Sequence, residues 1–74
     1  MTLGERLKMA RERAGLTQQQ AVDKMKRYWP GLNQGNLSTI ERSDDLRFSK
    51  LAMMCEVYGI TVIELLNIPP ILRP

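Results

Sequence analysis

This chain of 74 residues has no histidine and one cysteine, and each shortage removes a class of chemistry. Without histidine there is no ordinary Ser-His or Cys-His nucleophile, and the carboxylates are too scattered to stand in for one. Asp44 and Asp45 are adjacent, but they fall in a polar loop at 43 to 45 where capping accounts for them. Cys55 has no partner for an internal disulfide, and one thiol beside Met53 and Met54 makes a packed helix face rather than a metal or redox site. No apolar run approaches the ~18 residues that a membrane span requires. The opening MTLGERLKMARER breaks its apolar positions with charge at every turn, so it lacks the h-region of a signal peptide, and a reducing, cytoplasmic setting is expected. Internal repeats and low-complexity stretches are missing too. These absences argue against an enzyme, and no cofactor, metal, small-molecule ligand or membrane partner is expected.

What remains is one small basic domain. At 8.5 kDa the chain can build a single core but has little room for an enclosed substrate pocket. Lys and Arg outnumber Asp and Glu by 11 to 8, giving +3 and a pI near 9.4, which suits a phosphate backbone without demanding one. The closing IPPILRP cannot continue a helix, so the domain is expected over 1–68, with 69–74 a tail or the stub of a linker.

Punctuation and period place five helices. Leu3, Leu7, Ala10 and Ala14 recur at helical spacing until Gly15 stops them, predicting a first helix over about 3–14. Thr17 with Gln20 has the capping-box spacing and opens a second helix, whose inner face is Ala21, Val22, Met25 and Tyr28. Pro30 ends it by disfavouring the helical conformation at Trp29. Asn33 is the next cap, from which a third helix carries Leu37 and Ile40 inward through about Arg42. Phe48, Leu51, Ala52 and Cys55 recur at i, i+3, i+4 and i+7 in a fourth helix closed by Gly59. Thr61 with Glu64 repeats the box and starts a short fifth helix with Val62, Leu65 and Leu66 on its buried side. Strand signals are missing, so the class is all-α.

The stretch TQQQAVDKMKRYWPGLNQGNLSTIER, 17–42, carries the functional signal, because two helical patterns flank a Pro-Gly break and the second opens with exposed amides. Its Gln34, Asn36 and Thr39 lie on one side, Leu37 and Ile40 on the other. Gln and Asn side chains each pair a donor with an acceptor, which matches adenine bidentately in a DNA major groove. The competing reading is a set of ordinary solvated polar residues at a helix start.

Three segments, LGERLKMARERAGLTQQQ, NLSTIER and KLAMMCEVYGITVIELLN, resemble in order and character the lambda-repressor-like helix-turn-helix family of phage repressors, Cro proteins and XRE-type regulators. The resemblance covers nearly the whole chain. It implies a five-helix DNA-binding domain whose third helix enters the major groove with Gln34 as its first reading residue. It implies that Gln18, after Thr17, touches a phosphate and braces Gln34, and that Arg11 pairs with Glu41 as a structural brace. This chain departs from the pattern twice. Its connection between helices two and three is longer by roughly five residues than the usual tight turn, and KRYWP is read as added length on helix two plus a loop. Gly35 stands where the family often places a base-reading side chain, and it costs ~1 kcal/mol of helix propensity relative to Ala; either it lets the backbone approach the DNA or recognition is sparser here.

On these grounds Gln34, Gly35, Asn36 and Thr39 are the expected base-reading positions, and Gln18, Asn33, Arg42, Arg47 and Lys50 the expected phosphate contacts. For the cations the competing reading is plain surface charge. Trp29, beside Pro30 and Gly31, is read as an anchor pinning the enlarged turn to the core, against exposed partner docking. The expected function is sequence-specific regulation of transcription by a phage or prophage repressor or Cro-like protein, occupying an operator in double-stranded DNA with the helix 33–42. A lone short helix reads few base pairs, so a homodimer on half-sites ~34 Å apart is expected. Ile63, Leu66, Ile68, Ile71 and Leu72 supply more apolar surface than a short fifth helix can bury, and they are the expected dimer contact. The alternative is an antitoxin or protein-interaction module on the same fold.

Overall fold

A computed structural model describes residues 1–67. Its helices are short amphipathic segments, each started by a local cap or turn and stopped by another. α1 (Leu3–Arg13) starts at Thr2, whose hydroxyl accepts from the Glu5 N–H at 3.2 Å while the Glu5 carboxylate accepts from the Thr2 N–H at 2.8 Å. The same reciprocal box opens α2 (Gln18–Met25) with Thr17 and Gln20, and α5 (Val62–Leu66) with Thr61 and Glu64. α3 (Gln34–Glu41) is capped by Asn33, which accepts from the Asn36 N–H at 2.8 Å. α4 (Phe48–Tyr58) starts at Arg47 without a side-chain cap and ends on Gly59 at φ 73°, a left-handed conformation that glycine adopts without strain. No strand interrupts this all-α, five-helix arrangement among the described residues, and no helix in them is long and apolar enough to cross a membrane.

Helical spacing buries one stripe from each segment. Leu7 and Ala10 of α1, Ala21, Val22 and Met25 of α2, and Leu37 of α3 meet Leu51, Met54, Cys55 and Tyr58 of α4 and Leu65 of α5. Leu32, just ahead of the Asn33 cap, completes the cluster. Each fully buried Leu or Met contributes about 1.5–3 kcal/mol relative to exposure. α1 packs on α3, α4 and α5, and α2 packs on α3 and α4, so α1 and α2 together form the seat of α3.

The far end of α3 is tied back to the start of the chain. The Gly4 N–H donates to the Ser43 carbonyl at 2.9 Å, and the Leu3 N–H donates to Asp44 Oδ1 at 2.8 Å. Two of the orphan donors at the start of α1 are thereby satisfied from the loop after α3. The close approach needs glycine, because a Cβ at Gly4 would stand within 2.6 Å of backbone atoms of Ile40 and Glu41.

Four expectations are corrected. α2 ends at Met25, so KRYWP adds no helical length; the Tyr28 and Trp29 N–H groups both turn back to the Met25 carbonyl. Tyr28 leaves the helical phase there and is 56% exposed, rather than lining the inner face. Phe48 is 67% exposed, since it is the first residue of α4 and its side chain lies beyond the end of the packed stripe. Leu66 is 52% exposed while Leu65 is fully buried, because a five-residue helix turns only a narrow face to the core. Trp29, by contrast, packs against the core cluster as the anchoring reading expects.

Candidate nucleic-acid interface

The exposed face of α3 is mounted on a buried ion pair. Arg11 Nε donates to Glu41 Oε2 at 2.7 Å and its Nη2 donates to Oε1 at 3.3 Å, with the two side chains only 8% and 4% exposed. Arg11 Nη1 also donates to the Leu16 carbonyl at 2.8 Å, which ties the loop before α2 into the same cluster. The hydrogen bond to Glu41 raises the Arg11 pKa above the ordinary guanidinium value against the opposing effect of burial, so the charge is held. Losing one member would strand the other without compensation in a buried site.

From this pair a relay runs outward. Gln18 Nε2 donates to Glu41 Oε1 at 3.0 Å, and Gln18 Oε1 accepts from Gln34 Nε2 at 3.3 Å. Gln34 thus commits one amide hydrogen to its brace and has a second N–H and its carbonyl oxygen left over. Four residues from α1, α2 and α3 act as one support, although they are spread from position 11 to position 41 of the chain.

The other expected base-reading positions share the exposed side of α3. Gly35 and Asn36 are exposed, and a Cβ at Gly35 would meet only the Asn33 capping oxygen, at 3.3 Å. That contact is a tight one, with the oxygen that caps α3, so a side chain at Gly35 would press on the cap. Thr39 Oγ1 donates to the Gly35 carbonyl at 3.1 Å, so its hydroxyl proton is used inside the helix and its methyl group and lone pairs face outward.

The expected phosphate contacts fall in two groups. Gln18 and Arg42 line one cleft of about 450 Å³ together with Ser38 and Lys8, and Arg42 Nη1 donates to Ser38 Oγ at 2.6 Å. Lys8 is the cation that sequence reading missed, since on α1 it looks like any solvated lysine. Asn33 spends its side-chain oxygen on the cap. Arg47 and Lys50 lie instead at the start of α4, where Arg47 is exposed and Lys50 Nζ sits 4.4 Å from the centroid of the Trp29 ring. A larger groove of about 560 Å³, lined by Ala10, Tyr58 and Ile63 among others, contains none of the expected DNA-contacting residues. Of the expected dimer contacts, Ile63 is 72% exposed and Leu66 52%, while Ile68, Ile71 and Leu72 lie outside the described residues.

Two buried groups stand apart from this surface. Tyr58 Oη is buried without a hydrogen-bond partner among the described residues, and burial, with a smaller contribution from Glu41, pushes its pKa up. Burial likewise raises the Cys55 thiol. A family model described as a helix-turn-helix domain matches residues 2–67. Comparison with curated proteins and with solved structures yields no match.

Proposed function

Because the chain belongs to the helix-turn-helix domain family, we propose that it is a sequence-specific regulator of transcription, of the phage repressor or Cro-like type, that reads an operator with the helix 33–42. The observation that carries this reading is the relay Arg11, Glu41, Gln18, Gln34, which holds an exposed amide at the first turn of α3 with a donor and an acceptor still uncommitted. An amide so held has lost much of its rotamer freedom before it meets a base, so less entropy is lost on binding. Gln34 and Asn36 read base edges, Thr39 offers its methyl group, and Gly35 lets the helix backbone approach the groove floor.

Gln18, Asn33, Arg42, Arg47 and Lys50 contact phosphates, which sets register and supplies affinity that falls as salt rises. Regulation follows from occupancy, since a bound protein blocks or recruits polymerase at the operator. The working unit is a homodimer that pairs Ile63, Leu66, Ile68, Ile71 and Leu72 across a two-fold axis, acts in the cytoplasm and requires no cofactor.

Selection of binding sites from random DNA, read together with the spacing of paired half-sites, tests the proposal. A defined motif in two copies about one helical turn apart is expected. Failure to enrich any sequence, with retained capture of a protein partner, would replace it with the antitoxin or interaction-module reading.

A further inference from the structure

Between the end of α2 and the Asn33 cap the chain carries an enlarged turn to which the reading of α3 assigns no task. Its charge is one-sided. Lys26 and Arg27 are exposed, and neither forms an ion pair with an acidic side chain among the described residues. The turn is firmly attached: the Tyr28 and Trp29 N–H groups donate to the Met25 carbonyl at 3.0 and 2.9 Å, the Leu32 N–H donates to the Trp29 carbonyl at 3.0 Å, and the Trp29 ring packs on the core.

Two cations rest on its rings. Lys50 Nζ of α4 lies 4.4 Å from the Trp29 centroid, and the Arg27 guanidinium carbon lies 5.6 Å from that of Tyr28. The negative face of a ring attracts a cation, and the side of that cation turned away from the ring stays available to an anion. The turn thus gathers Lys26, Arg27 and Lys50 at a fixed place, then runs through Gly31 and Leu32 directly into the cap and first residue of α3.

We propose that the enlarged turn is a second DNA contact, in which Lys26, Arg27 and Lys50 grip phosphates flanking the groove that α3 enters. The inference rests on the DNA-reading function proposed above, which already gives Lys50 a phosphate, and extends it to Lys26 and Arg27 on the enlarged turn. Charge complementarity selects the partner, because exposed cations without an ion pair among the described residues fit a polyanion. Continuity with the start of α3 selects the place. The contact carries no sequence information of its own; it lengthens the footprint and steepens the salt dependence. Trp29 is a positioning residue here, holding Lys50 by its ring face and the turn by its packing on the core.

The test uses the intact chain and the selected operator, with affinity measured against salt concentration and backbone protection mapped by hydroxyl radicals. Lys26→Ala, Arg27→Ala and Lys50→Ala should each flatten the log-log salt slope by about 0.9 and leave the selected motif unchanged. Protection should shrink at one flank. Trp29→Leu, which removes both the ring under Lys50 and the anchor of the turn, should weaken binding at least as much as Lys50→Ala, whereas Trp29→Phe, which keeps an aromatic face, should retain most of the affinity. Unchanged slope and protection in the Lys26 and Arg27 variants, with the parent chain still bound, would overturn the inference and leave the DNA reading standing. A parent chain that selects no DNA overturns both. If these variants alter only the sedimentation of the chain, the surface is a protein interface and the inference falls.

Discussion

The Gln18 amide gives its Nε2 hydrogen to Glu41 Oε1 at 3.0 Å, and that contact decides which way round the amide sits. A carboxylate paired with a guanidinium accepts only, so Gln18 must turn its nitrogen inward and its oxygen outward. The outward oxygen then takes a hydrogen from Gln34 at 3.3 Å. A charge buried between α1 and α3 therefore sets the polarity of the amide on the surface.

Gln34→Ala should cost about 1–3 kcal/mol on the best operator and relax preference at one base pair. Gln18→Ala, which leaves Gln34 in place but without its brace, should weaken the same preference less. Competition binding against operators varied one pair at a time checks both. Equal weakening on operator and random DNA would remove Gln34 from base reading.

Glu41→Ala should be among the most damaging substitutions for folding, because it strands the Arg11 guanidinium, 8% exposed, without its partner. A loss of about 3–5 kcal/mol is expected. Glu41→Gln keeps an acceptor for Arg11 and should cost less, yet its added N–H meets Gln18 Nε2 as a second donor and should force that amide to flip. Chemical denaturation measures the first effect, and amide resonances of Gln18 and Gln34 report the second.

Two glycines should respond unequally to alanine. Helix propensity favours alanine by about 1 kcal/mol at either site. At Gly4 the new methyl would fall within 2.6 Å of the Ile40 and Glu41 backbone, so Gly4→Ala should lower the melting temperature despite its propensity. At Gly35 the new methyl would meet Asn33 Oδ1 at 3.3 Å, a side-chain atom rather than backbone, so Gly35→Ala should lower the melting temperature less than Gly4→Ala does while weakening operator binding. A Gly35→Ala variant that binds as well as the parent would show that the backbone keeps its distance from the groove.

Tyr58 predicts an alkaline weakness. Its folded pKa is raised above the ordinary value of 10.0, so the folded chain holds the phenolic proton more tightly than the unfolded chain does. The sign follows from linkage: this contribution is fully present below pH 10 and is lost progressively as pH rises above it. Cys55 acts in the same direction from its ordinary value of 9.0. Tyr58→Phe should remove the tyrosine share of that loss. Because the hydroxyl is buried without a partner, the variant should also be as stable as the parent at neutral pH, or more stable by about 1–3 kcal/mol. Melting temperatures of the two chains from pH 7 to 11 give both readings.

Leu66→Glu should leave the folding of the dilute chain nearly unchanged, since that side chain is already 52% exposed, and should abolish cooperativity between half-sites. Sedimentation with and without operator is the check. A chain that remains monomeric on DNA would move the pairing surface away from α5.

Much of the fold is legible because its signals are local. The Thr17 and Thr61 boxes, the Asn33 cap and the breaks at Gly15 and Gly59 each depend on residues within one turn of one another. What escapes is what depends on distance. Asp44 capping the start of α1 joins positions 41 residues apart, and nothing near either residue announces it. Tyr28, Phe48 and Leu66 were assigned to the core on periodicity, which marks a face but not how far the core extends beneath it. The Lys50 and Trp29 contact, and the sharing of one cleft by Lys8 with Gln18 and Arg42, exist only once separate helices have met.

The tie between Leu3 and Asp44 also sets a schedule for synthesis. The first turn of α1 leaves the ribosome before α2 to α5, yet its amides wait for partners that are made after α3 is complete. Until residue 44 has emerged and folded back, α3 has its cap at Asn33 but no moored end beyond Glu41. A nascent chain or proteolytic fragment that stops at α3 would keep the Arg11–Glu41 pair and the expected base-reading side chains but lose the ties from Leu3 and Gly4 to the loop 43–45, so its operator binding should be weaker than that of chains that extend past the loop.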